Sequence, residues 1–188
     1  QGDPFIATTH ISIMLEAHKR GIACKVISGI SSYSVAASLS GLQAYKFGRA
    51  VTLPIEGNIE HVKSVYESIS ENMSRGLHTL VFLDTKDGGL TIPVALGRLR
   101  ELESTLRKGL VADDRLVIAL ARLGYEDGLI RAGRVAELVT ASFPEPPHML
   151  IFPGKLHFLE REALIRLLGA PRECVEAYEP VGYEVDKV

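Results

Sequence analysis

An α/β protein is predicted by three features of the 188-residue sequence. Apolar runs of strand length recur at residues 77–83, 116–120 and 149–152. Between them lie longer stretches whose apolar residues return at helical spacing. Near the start, an apolar run gives way to a helix through Gly29-Ile30-Ser31-Ser32, the strand–loop–helix order of one half of a nucleotide-type unit. Strand runs that are apolar throughout belong to sheets covered on both faces.

From Thr8 the pattern is helical: Thr8 or Thr9 can cap, Ile11, Met14 and Leu15 share a face, and Gly21 is the stop. Residues 22–28 read as a short buried strand, and residues 33–39 as a packed helix stopped by Gly41. An extended stretch follows at Ala50-Val51-Thr52-Leu53. Residues 61–75 place Val62, Val65, Tyr66, Ile69 and Met73 on one helical face. The run 77–83 is a strand buried on both faces, and residues 91–108 a helix with Thr91 as candidate cap. Further expectations are a strand at 116–120, a helix at 133–140, a strand at 149–152 and a helix at 159–168 ending at Gly169. The polar tail from Glu176 is expected to be loose. The composition shift near Leu42 divides the chain into 1–42, the C-terminal part of one α/β domain, 43–175, a second α/β domain, and 176–188, a tail.

Charge excludes some functions. The formal net charge is −2 and no run of one sign occurs, so there is no electrostatic footprint for a nucleic-acid backbone. The two cysteines, Cys24 and Cys174, show no zinc spacing and suit a reducing, cytoplasmic setting. No apolar run reaches the roughly 18–20 residues that cross a bilayer. The chain opens Gln1-Gly2-Asp3-Pro4 without Met, and goes straight into a helix; its beginning is expected to be absent.

Two turns are candidates for ligand contact. In Gly2-Asp3-Pro4, glycine admits close approach and the Asp3 carboxylate can accept hydrogen bonds from a ligand, although such a turn is common for structural reasons alone. Ser31 and Ser32 sit where a strand hands over to a helix, a place for nucleotide-like ligands; capping of the next helix is the simpler alternative. Asp3 and these serines are expected in one crevice, at the ends of neighbouring strands. Of the six histidines, none has metal-site spacing. His78 and His157 stand where they can cap, and His148 follows Pro146-Pro147 at a strand start, where chains often touch ligands.

Several strings taken together resemble one family. Gly2-Asp3-Pro4-Phe5-Ile6-Ala7-Thr8-Thr9-His10 is similar to a motif of the diphthine synthases, within the tetrapyrrole methylase-like superfamily. So, more specifically, is Gly41-Leu42-Gln43-Ala44-Tyr45-Lys46-Phe47-Gly48-Arg49. The resemblance extends through the run 77–84, Ala121-Arg122-Leu123-Gly124, Pro146-Pro147-His148 and Pro153-Gly154-Lys155-Leu156-His157, the last in an archaeal form. It implies two α/β domains with a cofactor cleft between them, the first domain only partly present. It implies S-adenosylmethionine as cofactor and a homodimer. The implied acceptor is the amino group of a carboxypropyl-modified histidine on elongation factor 2, in diphthamide biosynthesis, with a trimethylammonium as product of the archaeal type. The implied cofactor contacts are Asp3, Ile6, Ser31, Ser32, Leu83, Leu123 and His148. Gln1 departs from the pattern, which has a small or apolar residue there.

Methyl transfer from a sulfonium to a neutral amine needs positioning more than a strong base, which agrees with the lack of a metal cluster or triad motif. No catalytic acid or base is assigned. The mouth that admits the acceptor is expected to carry basic residues, with Lys46 and Arg49 as candidates for shaping that mouth or the domain junction next to it; ordinary solvated charges are the alternative. Two other readings stay open: a methylase acting on a corrin or porphyrin, and a non-catalytic fragment or interaction domain.

Overall fold

The computed structural model describes residues 2–6 and 9–184. They form two compact units, Gln1–Ala36 and Ala37–Val188.

The first unit carries α1 (Ile11–Lys19) and the start of α2 (Ser32–Leu39), within which the division falls. Thr8 lies outside the described residues, and His10 occupies the cap position of α1 without a side-chain bond to the helix; its ring Nδ1 meets the Pro4 carbonyl instead. The far end follows the expectation. Gly21 takes φ +68°, its N–H bonds to the His18 carbonyl at 3.0 Å and the Ile22 N–H to the Ala17 carbonyl at 2.9 Å, a Schellman stop. The strand expected at 22–28 is absent: these residues are exposed and outside any ladder. Apolar composition states what a strand would bury, but a strand exists through paired backbone, and these residues pair with no described strand.

The second unit is built on a five-stranded sheet in the order β1-β2-β5-β3-β4. Its strands are β1 (Val51–Leu53), β2 (Thr79–Leu83), β3 (Leu116–Ala121), β4 (Leu129–Arg134) and β5 (His148–Phe152). β1 and β2 run parallel and the other pairs antiparallel. β2 is interior, as its apolar run requires, although β5 holds the middle. Helix α3 (Ile59–Ser74) begins two residues before the periodicity suggests, because the Asn58 side chain accepts from the N–H groups of Glu60 and His61. It buries Val62, Val65, Tyr66, Ile69 and Met73. Helix α4 (Ile92–Leu106) adds Ile92, Ala95, Leu96, Leu99 and Leu102 to the same core, against Val81, Val117, Ala119, Leu150 and Phe152 of the sheet. Thr91 is its cap residue without a side-chain bond. The alternate residues Leu80, Ile118, Leu120, Met149 and Ile151 are also buried, so both faces are covered.

Two expectations are modified in this unit. The helix read at 133–140 is shorter: Gly133 and Arg134 end β4, which pairs with β3 from Leu116↔Arg134 to Ala121↔Leu129, and α5 (Val135–Leu138) is the helical part. Gly133 belongs to the ladder, where a Cβ would come 3.0 Å from Glu137 Oε2, so a larger residue would require that side chain to give way. Beyond α6 (Phe158–Arg166) a further helix, α7 (Arg172–Glu176), was not read. After it Tyr178 is buried and donates to the Pro153 carbonyl, and Val181 packs on the core. The loose tail thus does not begin at Glu176; residues 185–188 lie outside the described residues.

Candidate functional site

In the first unit the Asp3 carboxylate staples two turns. Oδ1 accepts the Phe5 N–H at 2.9 Å and Oδ2 the Gly29 N–H at 3.2 Å. These bonds hold its pKa below the ordinary value, the Phe5 bond most. The approach is close enough that a Cβ on Gly29 would lie 2.2 Å from the Gly2 carbonyl oxygen. Gly29 is two residues before Ser31, so Asp3 and the serine turn share one place, though at turns and not at strand ends. Ser31 is buried and its Oγ accepts the Tyr33 N–H at 3.2 Å: the capping reading holds for it. Ser32 is exposed as the first residue of α2, and Ile6 is exposed on the Asp3 turn.

In the second unit, Leu83, Leu123 and His148 come to one edge of the sheet. β2 and β3 both run antiparallel to β5, so their C-terminal ends flank its start, with Phe82 opposite Met149 and Ala121 opposite His148. Leu83 ends β2 and is buried, Leu123 is half-buried just past β3, and His148 opens β5. The His148 ring is spent inside the protein. Nδ1 accepts the Ile92 N–H at 3.2 Å and Nε2 donates to the Pro144 carbonyl at 2.7 Å. Burial pushes its pKa down, and the neutral ring fixes the turn 144–148.

Asp84 and Arg122, not singled out from sequence, organise this edge. Asp84 accepts the N–H groups of Ile55 (3.1 Å) and Lys86 (3.0 Å), which hold its carboxyl below the usual range, the Lys86 bond most. Its own carbonyl accepts the Leu90 N–H at 2.7 Å. Arg122 has φ +50°, a left-handed conformation uncommon for a side chain of this size, and its N–H reaches the Pro147 carbonyl at 2.9 Å. Gly88 and Gly124 have positive φ with open space where a Cβ would stand, leaving backbone accessible on two of the turns. Asp84 stood within a matching string and Arg122 within another; the left-handed turn after β3 left no local mark.

Lys46 does not line an open mouth. It belongs to the opposite end of the sheet, where the isolated bridge Phe47↔His78 precedes β1 and β2. Its ammonium contacts Glu160 Oε2 at 2.5 Å and the Lys155 carbonyl. Glu160, 1% exposed, also accepts from His78 Nε2 (3.0 Å) and from the N–H groups of Gln43 (2.8 Å) and His157 (2.7 Å). His78 is wholly buried and its Nδ1 accepts the Gly154 N–H at 2.9 Å; it is a core residue, not the expected cap. Burial alone would raise the Glu160 pKa, but these partners outweigh it and hold it down at about 2. His157 does cap α6, its Nδ1 accepting the Leu159 N–H. The Arg49 side chain is exposed; its backbone N–H and carbonyl are both held by Asn72.

Known proteins resemble the chain in sequence and in fold. Residues 1–139 match the tetrapyrrole (corrin/porphyrin) methylase family. The chain is 40% identical over 178 residues to the diphthine synthase of Methanothermobacter thermautotrophicus, covering 93% of this chain and 67% of that protein. It is 44% identical over 165 residues to the diphthine synthase of Sulfurisphaera tokodaii, covering 87% and 65%. A crystal structure of a diphthine synthase superposes with TM-score 0.82 at 30% identity, over 94% of this chain and 67% of that one. The chain therefore belongs to the diphthine synthase family of tetrapyrrole methylase-like proteins.

Proposed function

We propose that the chain supplies most of a diphthine synthase, transferring methyl groups from S-adenosylmethionine to the amino group of a carboxypropyl-modified histidine on elongation factor 2, in diphthamide biosynthesis. One observation carries the reading: residues 83, 123 and 148, distant in sequence, meet at one sheet edge. The proposal includes the cofactor contacts Asp3, Ile6, Ser31, Ser32, Leu83, Leu123 and His148, a cytoplasmic setting, an archaeal type of enzyme and a homodimer.

The residues fit S-adenosylmethionine in kind. That molecule offers hydroxyls, an ammonium, a carboxylate and an adenine with apolar faces. In the second unit the accessible backbone at Gly88 and Gly124 and the partly exposed Leu123 are of the kind such a molecule uses; in the first unit, taken by itself, so are the exposed Ser32 hydroxyl and Ile6. When bound, the cofactor would supply a methyl group on a sulfonium; a neutral amine would take that methyl carbon in line as the thioether leaves, and the amine's N–H proton would pass to solvent. The chain's task is to hold the acceptor at that line, and orientation of this kind accounts for about 7–11 kcal/mol of a barrier. Asp84 and His148 serve it by fixing the turns at the edge through their bonds to backbone groups.

The test is transfer of a labelled methyl from S-adenosylmethionine to elongation factor 2 bearing the modified histidine, with a porphyrinogen as alternative acceptor. Label on the elongation factor supports the reading. Label on the porphyrinogen alone overturns it.

A further inference from the structure

Three cations stand near the sheet edge that holds Leu83, Leu123 and His148, and they are committed to different degrees. Arg98 gives Nη1 and Nη2 to the carbonyls of Pro54 and Ile55, both at 2.8 Å, so its fork is filled. Lys86 is exposed and pairs with Glu56 and Asp87 on the surface. Arg122 differs from both. Its Nε donates to Asp127 Oδ1 at 2.7 Å, and its guanidinium lies 4.2 Å from the centre of the Tyr125 ring. The Nη nitrogens make no hydrogen bond to the described residues.

The loop that holds it is closed tightly. The Tyr125 N–H bonds to the Arg122 carbonyl and the Gly128 N–H to the Tyr125 carbonyl, each at 3.0 Å, and a Cβ at Gly128 would lie 2.8 Å from the Arg122 carbonyl oxygen. The side chain is 24% exposed. A guanidinium fixed through one nitrogen and one ring face, with its other nitrogens bonded to none of the described residues and the Glu145 carboxylate adding to the field on it, is a preorganised fork for a carboxylate. The alternative is a staple that only closes residues 122–128. Asp127 serves both roles, since it orients the fork while lowering its net charge.

Resting on the reading of function above, we propose that Arg122 binds the carboxylate that accompanies the acceptor amine and so sets the position of that amine. The amine is a poor handle: it loses an N–H with each methyl it receives, so a hydrogen bond to it changes at every transfer. The carboxylate is the same before and after. An anchor on it keeps the acceptor in register whatever the state of the nitrogen, and Arg122 is the immediate neighbour of Leu123 at this edge.

The test uses the protein with modified elongation factor 2 and labelled S-adenosylmethionine, for wild type, Arg122→Gln and Arg122→Lys. Two competitors are compared, imidazoles bearing the aminocarboxypropyl group as carboxylate or as carboxamide. Wild type is expected to prefer the carboxylate on the order of 10- to 100-fold, the range for a hydrogen bond to a charged group. Arg122→Gln is expected to lose that preference and to raise KM for the elongation factor more than it lowers kcat, with cofactor affinity within about twofold of wild type. If Arg122→Gln does not fold, Arg122→Lys decides, with an intermediate preference expected because its charge remains and its fork does not. A wild-type preference near one, or a wild-type preference kept by the variant that folds, overturns the inference and leaves the function standing. Failure of wild type to methylate the elongation factor overturns the function itself, and this inference with it.

Discussion

Each end of the sheet in the second unit holds one buried histidine, and both rings use Nδ1 in the same way: the Gly154 N–H bonds to His78 and the Ile92 N–H to His148. They differ in what Nε2 meets. His78 donates to Glu160, which gathers Lys46 and two further backbone N–H groups into a fully partnered cluster. His148 donates to a carbonyl of the turn before its own strand, and around it the chain keeps glycines with open space and a guanidinium with unused nitrogens. A cluster whose groups are all satisfied by the fold has nothing left for a ligand; its work is to hold distant segments together. An edge where side chains are turned inward to fix loops leaves backbone and a selected few groups facing out. Perturbed ionisation occurs at both ends, so it does not by itself tell them apart; the count of uncommitted partners does.

The sheet is common to both ends, and the largest effect comes from breaking it. Val81 is wholly buried between β1 and β5, opposite Val51 and Leu150. Val81→Asp puts a carboxyl there without a partner, at a cost comparable with the 5–15 kcal/mol that stabilises a typical domain. No cooperative thermal transition is expected; a soluble, cooperatively melting variant would contradict the placement of β2.

Next comes the closed end. Glu160→Gln leaves the Lys46 ammonium without its counter-ion. We expect a loss of about 3 kcal/mol, the low end for breaking a buried pair, because Lys46 keeps the Lys155 carbonyl and its side chain is 17% exposed. Urea unfolding measures this. In the fraction that folds, affinity for S-adenosylmethionine is expected to match wild type. A cofactor affinity that falls by more than the lost stability explains would show that the two ends are coupled.

The helices and most strands of this arrangement were legible because their signals are local. The face of α3 and the apolar runs of β2, β3 and β5 each lie within one short window of sequence. β4 was missed because Arg131, Gly133 and Arg134 interrupt its apolar pattern, and α7 because five residues carry too little periodicity. The Glu160 cluster joins residues separated by 82, 114 and 117 positions, which no window contains. A weak signal existed in His157 and Glu160, spaced as a capping box. At the open edge, Leu83, Leu123 and His148 were named through family resemblance, whereas Arg122 needed the left-handed turn to be seen.

A smaller effect separates the two histidines by pH. Burial lowers the pKa of both from the ordinary 6.5. The unfolded chain therefore binds more protons than the folded one below that value. The stability that both rings contribute is complete above about pH 6.5 and is lost as pH falls below it, by at most about 1.4 kcal/mol per pH unit for each ring. Glu160 acts lower: with its pKa near 2 its contribution is present above about pH 4.5 and is lost between there and pH 2. His78→Gln and His148→Gln should each flatten the upper slope by one ring. Saturating S-adenosylmethionine should shift the titration of His148 and leave that of His78 unchanged, read by NMR of the ring protons. The reverse pattern would place the ligand at the closed end.

The smallest effect is the most discriminating for that end. Arg49 sits in the family-specific string beside Lys46, and its charge invites a docking role. Yet what the fold uses is its backbone: Asn72 Oδ1 accepts its N–H at 3.2 Å and Asn72 Nδ2 donates to its carbonyl at 2.9 Å. Those bonds do not depend on the side chain, which is exposed. Arg49→Glu should therefore change stability by no more than about 0.5 kcal/mol, as for a surface substitution away from special features. Its position before β1 puts it at the end of the sheet away from Leu83, so turnover of the modified elongation factor should also be unchanged. Equal stability with a KM for the elongation factor raised tenfold would mean that the acceptor protein reaches around to the closed end, and the division of labour between the two ends would have to be redrawn with Arg49 on the docking surface.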